Sequence, residues 1–198
     1  MITETRASGG ANGTPQTFPE LLATSVAEGP EDPFLVWGEG SSISFAEFDL
    51  AARRFAGGLV SQGIGKGERV AVLMENRPEF LAATYGTMLA GAVFVPINAQ
   101  LTPAEASYVT SHAGARVLVT EPRLLPMVRQ IPSYPELGLV VLAPAEGEAE
   151  GGWEADGIDM LPWAEFLAEP LEPGAVEVAS GDLAAIQYTS GTTAFPRG

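Results

Sequence analysis

Val70-Ala71-Val72-Leu73-Met74 runs into Glu75-Asn76-Arg77-Pro78-Glu79-Phe80, and after Gly91 the chain continues Ala92-Val93-Phe94-Val95-Pro96-Ile97. The first run is apolar without alternation, which is how a strand buried on both faces reads. Asn76 is the expected helix cap and Pro78 falls in the first turn, so a helix is predicted from there to about Gly91. Ala92 to Ile97 is then the next strand. Two buried strands joined by a helix make a βαβ unit, which implies parallel pairing. The stretch Phe80 to Ile97 carries no charge, but Thr84, Tyr85, Gly86, Thr87, Gly91 and Pro96 keep its hydropathy modest. A helix followed by a buried strand accounts for it better than a membrane span.

The same alternation continues on both sides. Thr102-Pro103-Ala104-Glu105 is a capping box that opens a helix to about Ala113. Arg116 to Thr120 reads as a strand, Leu124 to Gln130 as a short helix and Gly138 to Leu142 as a further strand. Upstream, Phe18 to Glu28 reads as a helix. Phe34-Leu35-Val36-Trp37 and Ser42-Ile43-Ser44-Phe45 flank Gly38-Glu39-Gly40 as a hairpin. Ser44-Phe45-Ala46-Glu47 is a second capping box, starting a helix to about Gln62 with Phe45, Phe48, Leu50, Ala52, Phe55, Ala56, Leu59 and Val60 as its apolar set. Pro162 to Leu167 is a short helix, Glu169 to Ser180 a linker, and Leu183 to Tyr188 a final strand. The expected fold is α/β, with βαβ units and a mostly parallel sheet. The expected organisation is a loose leader over 1–17, an α/β unit over 18–180 with an acidic solvated loop at 144–157, and a last strand with the start of a loop over 181–198.

Composition narrows the possible partners. The chain has 198 residues, 46% of them hydrophobic, enough for one core. Its formal net charge is −15, from 25 acidic and 10 basic residues, and Lys66 is the single lysine. That balance argues against nucleic acid and against charge-driven docking on an anionic membrane. Without cysteine there is no disulfide, thiolate metal site or cysteine nucleophile, which fits a reducing, cytoplasmic setting. Residues 1–16 lack the apolar core of a signal peptide. His112 is the only histidine, so neither a two-histidine metal site nor a histidine triad can be built within the chain. Its place near a helix end gives it a solvent-facing or helix-terminal role by default. Gly63-Ile64-Gly65-Lys66-Gly67 precedes a strand instead of linking strand to helix, so it reads as a turn and not as a dinucleotide loop. Trp37, Trp153 and Trp163 read as packing residues. Tyr188 could brace the loop that follows it or simply pack in the core.

The chemistry concentrates in Tyr188-Thr189-Ser190-Gly191-Thr192-Thr193-Ala194-Phe195-Pro196-Arg197-Gly198. On composition alone this could be a polar surface turn. Equally, four hydroxyls around a glycine, followed by a permanent cation, suit phosphate oxygens. Gly191 permits close backbone approach, the hydroxyls donate and Arg197 supplies charge. The spacing excludes a Walker A loop, because Pro196 stands where that motif needs its second glycine.

The order of residues resembles the phosphate loop of the adenylate-forming enzymes, [YF]-T-S-G-T-T-G-x-P-K-G. Eight of the eleven positions agree. Ala194 replaces the usual glycine, as small residues do in carnitine/crotonobetaine-type acyl-CoA ligases, and Arg197 replaces the usual lysine. Gly65 to Val72 with Glu75 to Phe80, and Gly91 to Asn98 with Leu101-Thr102, are similar to the family's first two βα units. The resemblance runs from about Phe34 to Gly198. It implies the amino-terminal part of an AMP-forming acyl-CoA synthetase that uses ATP, Mg²⁺ and CoA and takes a carboxylic acid as substrate. Thr189, Ser190, Thr192 and Thr193 would bond the β- and γ-phosphates, Gly191 would admit them and Arg197 would counter the charge of departing pyrophosphate. The family's adenine, ribose and acyl contacts and its catalytic lysine lie beyond this loop, so the expected partner is the remainder of the same enzyme chain. The alternatives are an adenylation domain with a non-CoA acceptor and a non-catalytic module that binds another subunit.

Overall fold

The computed structural model describes residues 14–38, 40–131, 136–144 and 158–189. Helix α1 (Phe18–Glu28) is capped by Thr17, whose hydroxyl accepts the Glu20 N–H at 3.2 Å. Strands β1 (Pro33–Trp37) and β2 (Ser41–Ser44) form an antiparallel hairpin. Ser44 and Glu47 close the predicted capping box at the start of α2 (Phe45–Ser61). Then follow β3 (Arg69–Leu73), α3 (Pro78–Leu89), β4 (Val93–Ile97), α4 (Pro103–Ala113) and β5 (Ala115–Thr120). A 3₁₀ turn at Pro122–Leu124 leads into α5 (Leu125–Val128), followed by β6 (Leu139–Leu142), β7 (Asp159–Pro162) and α6 (Trp163–Phe166).

Strands β3 to β7 form one sheet in the order β4-β3-β5-β6-β7, every pair parallel. The period of two along each strand divides the core between its faces. Val70, Val72, Val117, Val119 and Val141 share a cluster with Phe55 and Leu59 of α2, Ala83 and Met88 of α3 and Phe166 of α6. Ala71, Leu73, Val95, Leu118 and Val140 share the other with Ala106, Val109 and Ala113 of α4. Both faces are therefore covered, as the unbroken apolar runs predict.

Several elements depart from the sequence reading. The cap of α3 is Arg77, not Asn76, and it makes no side-chain capping bond. Pro78 fixes the first helical position and holds the residue before it extended, with φ −155° and ψ 164° at Arg77. Leu50 and Val60 of the predicted apolar set are 46% and 42% exposed. At about 100° per residue, Leu50 lies roughly 200° around the helix from the buried Ala52, so the two cannot share a face. Trp37 is exposed as well, whereas Trp163 packs on Phe55 with ring centroids 5.1 Å apart. Trp153 and the acidic run 145–157 lie outside the described residues.

The predicted last strand is the largest difference. Leu183 to Tyr188 does not form a regular strand. It makes one parallel bridge, Ala185 with Phe94 on the outer edge of β4. The Phe94 N–H donates to the Ala184 carbonyl at 3.0 Å, and the Ile186 N–H to the Phe94 carbonyl at 2.9 Å. The next donor on that edge of β4 would belong to residue 96, which is proline and has no N–H, so the next bridge loses one of its two bonds and a regular strand does not form.

Candidate nucleotide site

At Ala185 the chain runs parallel to β4, toward the end of the sheet at which β3, β4 and β5 finish. Ligands of open α/β sheets bind outside those carboxyl ends. Thr189 is exposed there, and its hydroxyl is of the kind that donates to an anionic oxygen. The other predicted contacts, Ser190, Gly191, Thr192, Thr193 and Arg197, lie outside the described residues.

The segment that delivers Thr189 is tied at both ends by side chains. At its start, Lys66 Nζ stands 2.6 Å from Asp182 Oδ2 and donates to the Glu177 carbonyl at 3.1 Å. The Lys66 ammonium and the Ala179 N–H hold the Asp182 carboxyl below the usual carboxylate range. At its far end, the Tyr188 hydroxyl lies 2.7 Å from His112 Nδ1. His112 stacks on Tyr108, and the Tyr188 ring stands edge-on to it at 87°. Burial, with a contribution from Tyr108, pushes the Tyr188 phenol up. Tyr188 also packs on the α4 side of the core, so it both braces and fills. Beside the segment, a cavity of about 400 Å³ is lined by Phe18, Leu21, Met88, Val178, Leu183 and Ala184 among others.

The turn before β3 sets the other end of the sheet. Gly63 and Gly67 have φ of 71° and 80°. Glu68 accepts the Gly65 N–H at 2.9 Å and pairs with Arg116. Burial raises the Glu68 pKa, but the bonds from Arg116 and the Gly65 N–H outweigh it and hold the carboxyl below its ordinary value. Arg69 closes the end of α4, donating to the Ala113 and Gly114 carbonyls at 2.8 and 2.7 Å.

Beyond the ends of β3 and β5 stands a linked ion-pair group. Arg77 meets Glu79 at 2.8 Å and Glu121 at 3.6 Å, while Arg123 meets Glu75 at 2.6 Å and Glu121 at 3.2 Å. Glu121 is only 6% exposed, so the two guanidiniums compensate a charge that burial would otherwise make costly. Among the described residues, no group of three or more His, Asp or Glu could hold a metal ion, and no helix is long and apolar enough to cross a membrane. Sequence reasoning missed the contacts of Lys66 with Asp182, His112 with Tyr188 and Arg77 with Glu121. Each joins residues far apart in the chain, and only the scarcity of lysine and histidine singled out two of them.

A mostly parallel sheet covered on both faces matches the amino-terminal subdomain of the adenylate-forming enzymes. The chain belongs to the AMP-binding enzyme family, whose model matches residues 22–198. It is 33% identical over 181 residues to a 3-hydroxybenzoate/4-hydroxybenzoate–CoA ligase of Thauera aromatica, covering 90% of this chain and 33% of the relative. It is 34% identical over 161 residues to a long-chain-fatty-acid–CoA ligase of Thermus thermophilus, covering 81% and 28%. The crystal structure of an anthranilate CoA ligase in complex with anthranoyl-AMP matches with a TM-score of 0.74 at 23% identity, over 91% of this chain and 33% of that one. The chain thus spans about one third of the length of the relatives it matches.

Proposed function

We propose that residues 18–180 form the amino-terminal unit of an ATP-dependent, AMP-forming carboxylate–CoA ligase, and that 181–198 supply the start of its phosphate loop. The observation that carries this reading is the placement of Thr189. It is the first hydroxyl of the T-S-G-T-T run and stands exposed at the end of a segment bridged to the sheet edge. The matched family and relatives named as CoA ligases support it.

In this reaction a carboxylate attacks the α-phosphorus of ATP, giving an acyl-adenylate and pyrophosphate, and CoA then takes the acyl group through its thiol. The chain's part is positioning and charge stabilisation. Thr189, Ser190, Thr192 and Thr193 bond the β- and γ-phosphates, Gly191 lets the backbone approach, and Arg197 offsets charge gathering on the departing pyrophosphate. Mg²⁺ travels with ATP as its counterion, and the setting is cytoplasmic. Relatives of similar identity are named for an aromatic and for a long-chain acid, so the substrate is a carboxylic acid of open class.

Titration calorimetry with MgATP tests the site. Ser190→Ala and Arg197→Gln should each weaken binding about tenfold, roughly 1.4 kcal/mol, while Arg197→Lys should bind as the parent does. Unchanged affinity in both loss variants would sink the assignment.

A further inference from the structure

We propose that His112 is a positioning residue for the phosphate loop, acting through the hydroxyl of Tyr188. The proposal rests on the phosphate-site reading above and adds to it a residue 76 positions away in sequence from Tyr188.

The backbone leaves a gap between bridges that a side chain can span. Segment 182–188 carries the loop but is bridged to β4 only at Ala185, through the bonds of Ala184 and Ile186. Pro96 brings no N–H to that edge, so Ile186 receives no bond at its carbonyl from β4, and the next backbone bridge of the segment comes only at Thr189. The side-chain tie that follows the bridge is the 2.7 Å contact of Tyr188 with His112 Nδ1. With its proton on Nε2, the imidazole accepts from the phenol. His112 is itself held in the last turn of α4 and stacked on Tyr108 at 5.1 Å, so the acceptor is fixed before the loop is reached. Thr189 follows Tyr188 across one peptide, with Cα atoms about 3.8 Å apart. A shift of Tyr188 is therefore passed on to the first phosphate-binding hydroxyl.

Two readouts on the 198-residue chain test it, hydrogen exchange at the Gln187, Tyr188 and Thr189 amides and MgATP affinity. They are compared for the parent, Tyr188→Phe, His112→Leu, the double variant and His112→Asn, whose amide oxygen can stand where Nδ1 does. Tyr188→Phe and His112→Leu should each speed exchange at these amides and weaken MgATP binding, both up to about tenfold. The double variant should be no worse than either single one, and His112→Asn should recover most of the loss. The midpoint of thermal unfolding confirms that each variant is folded. Unchanged exchange, additive losses, or faster exchange with unaltered MgATP affinity would each overturn the proposal. If the parent itself fails to bind MgATP, the phosphate-site reading falls with its positioning role, and exchange still shows whether the anchor exists.

Discussion

Gly86 shows how single residues set the distance between helices. A Cβ there would come within 2.6 Å of the Ala52 carbonyl oxygen and 2.8 Å of Phe55 Cδ1, because α3 crosses α2 at this glycine. Gly57 and Gly58 do the same for α6 and the chain after it, where a Cβ would run into the carbonyls of Glu169 and Phe166. Backbone atoms cannot swing aside, so Gly86→Ala should destabilise the protein by about 1–3 kcal/mol. Gly65→Ala, where nothing lies within 4 Å, should leave stability nearly unchanged. Thermal unfolding of the two variants side by side checks this; equal midpoints would mean that α2 and α3 can move apart freely. None of these approaches is legible in the sequence. A paired glycine inside a helical pattern signals that something comes close, without saying what.

Helix α4 is closed at its start by Thr102 and Glu105. The Thr102 hydroxyl accepts the Glu105 N–H at 3.3 Å and donates to the Glu105 carboxylate at 2.7 Å, while that carboxylate also accepts the Thr102 N–H at 2.8 Å. These bonds hold the Glu105 carboxyl below its ordinary value, chiefly the one from the Thr102 N–H. A depressed carboxyl contributes stability above its unfolded pKa, and that contribution is lost as pH falls through the folded one. Thr102→Ala should cost about 1 kcal/mol at neutral pH. Glu105→Gln should show a smaller loss of stability than the parent as pH drops below about 4.3. Denaturant melts at neutral and acid pH measure both; an unchanged acid limb in Glu105→Gln would remove the box from the pH response. Both capping boxes are legible in advance because capping is local chemistry between residues three apart. The parallel pairing follows from the unbroken apolar runs. Strand β7 does not, since Asp159-Met160-Leu161-Pro162 gains its strand character only by lying beside β6. The last strand is expected too long for the opposite reason: its own residues suit a strand, and its partner's Pro96 does not. The proposed site is legible as a motif, but the two ties that hold the segment leading to it are not.

For the molecule as a whole, the charge of −15 works against its proposed ligand, since ATP is itself an anion. Arg197 would attract phosphate locally while the distant carboxylates repel it. Salt screens the distant charges more than the near one. MgATP affinity should therefore hold or rise between about 20 mM and about 200 mM salt, the reverse of a basic nucleotide binder. A steep fall in calorimetric affinity over that range would show that the local cation outweighs the field. The chain also spans about one third of its relatives. We predict that, alone, it does not form acyl-adenylate, and ATP–pyrophosphate exchange by the purified chain with a panel of carboxylic acids would refute that. Lys66, finally, matters at the bench. It is the one side-chain amine, so an amine-reactive dye, biotin or sensor-chip ester has only it and the terminal amine to choose from. Acylating it would remove the positive charge that Asp182 meets at 2.6 Å and release the start of the segment leading to Thr189. An immobilised or labelled preparation would then disturb the proposed nucleotide site through its tether, so attachment should be directed to the terminus instead.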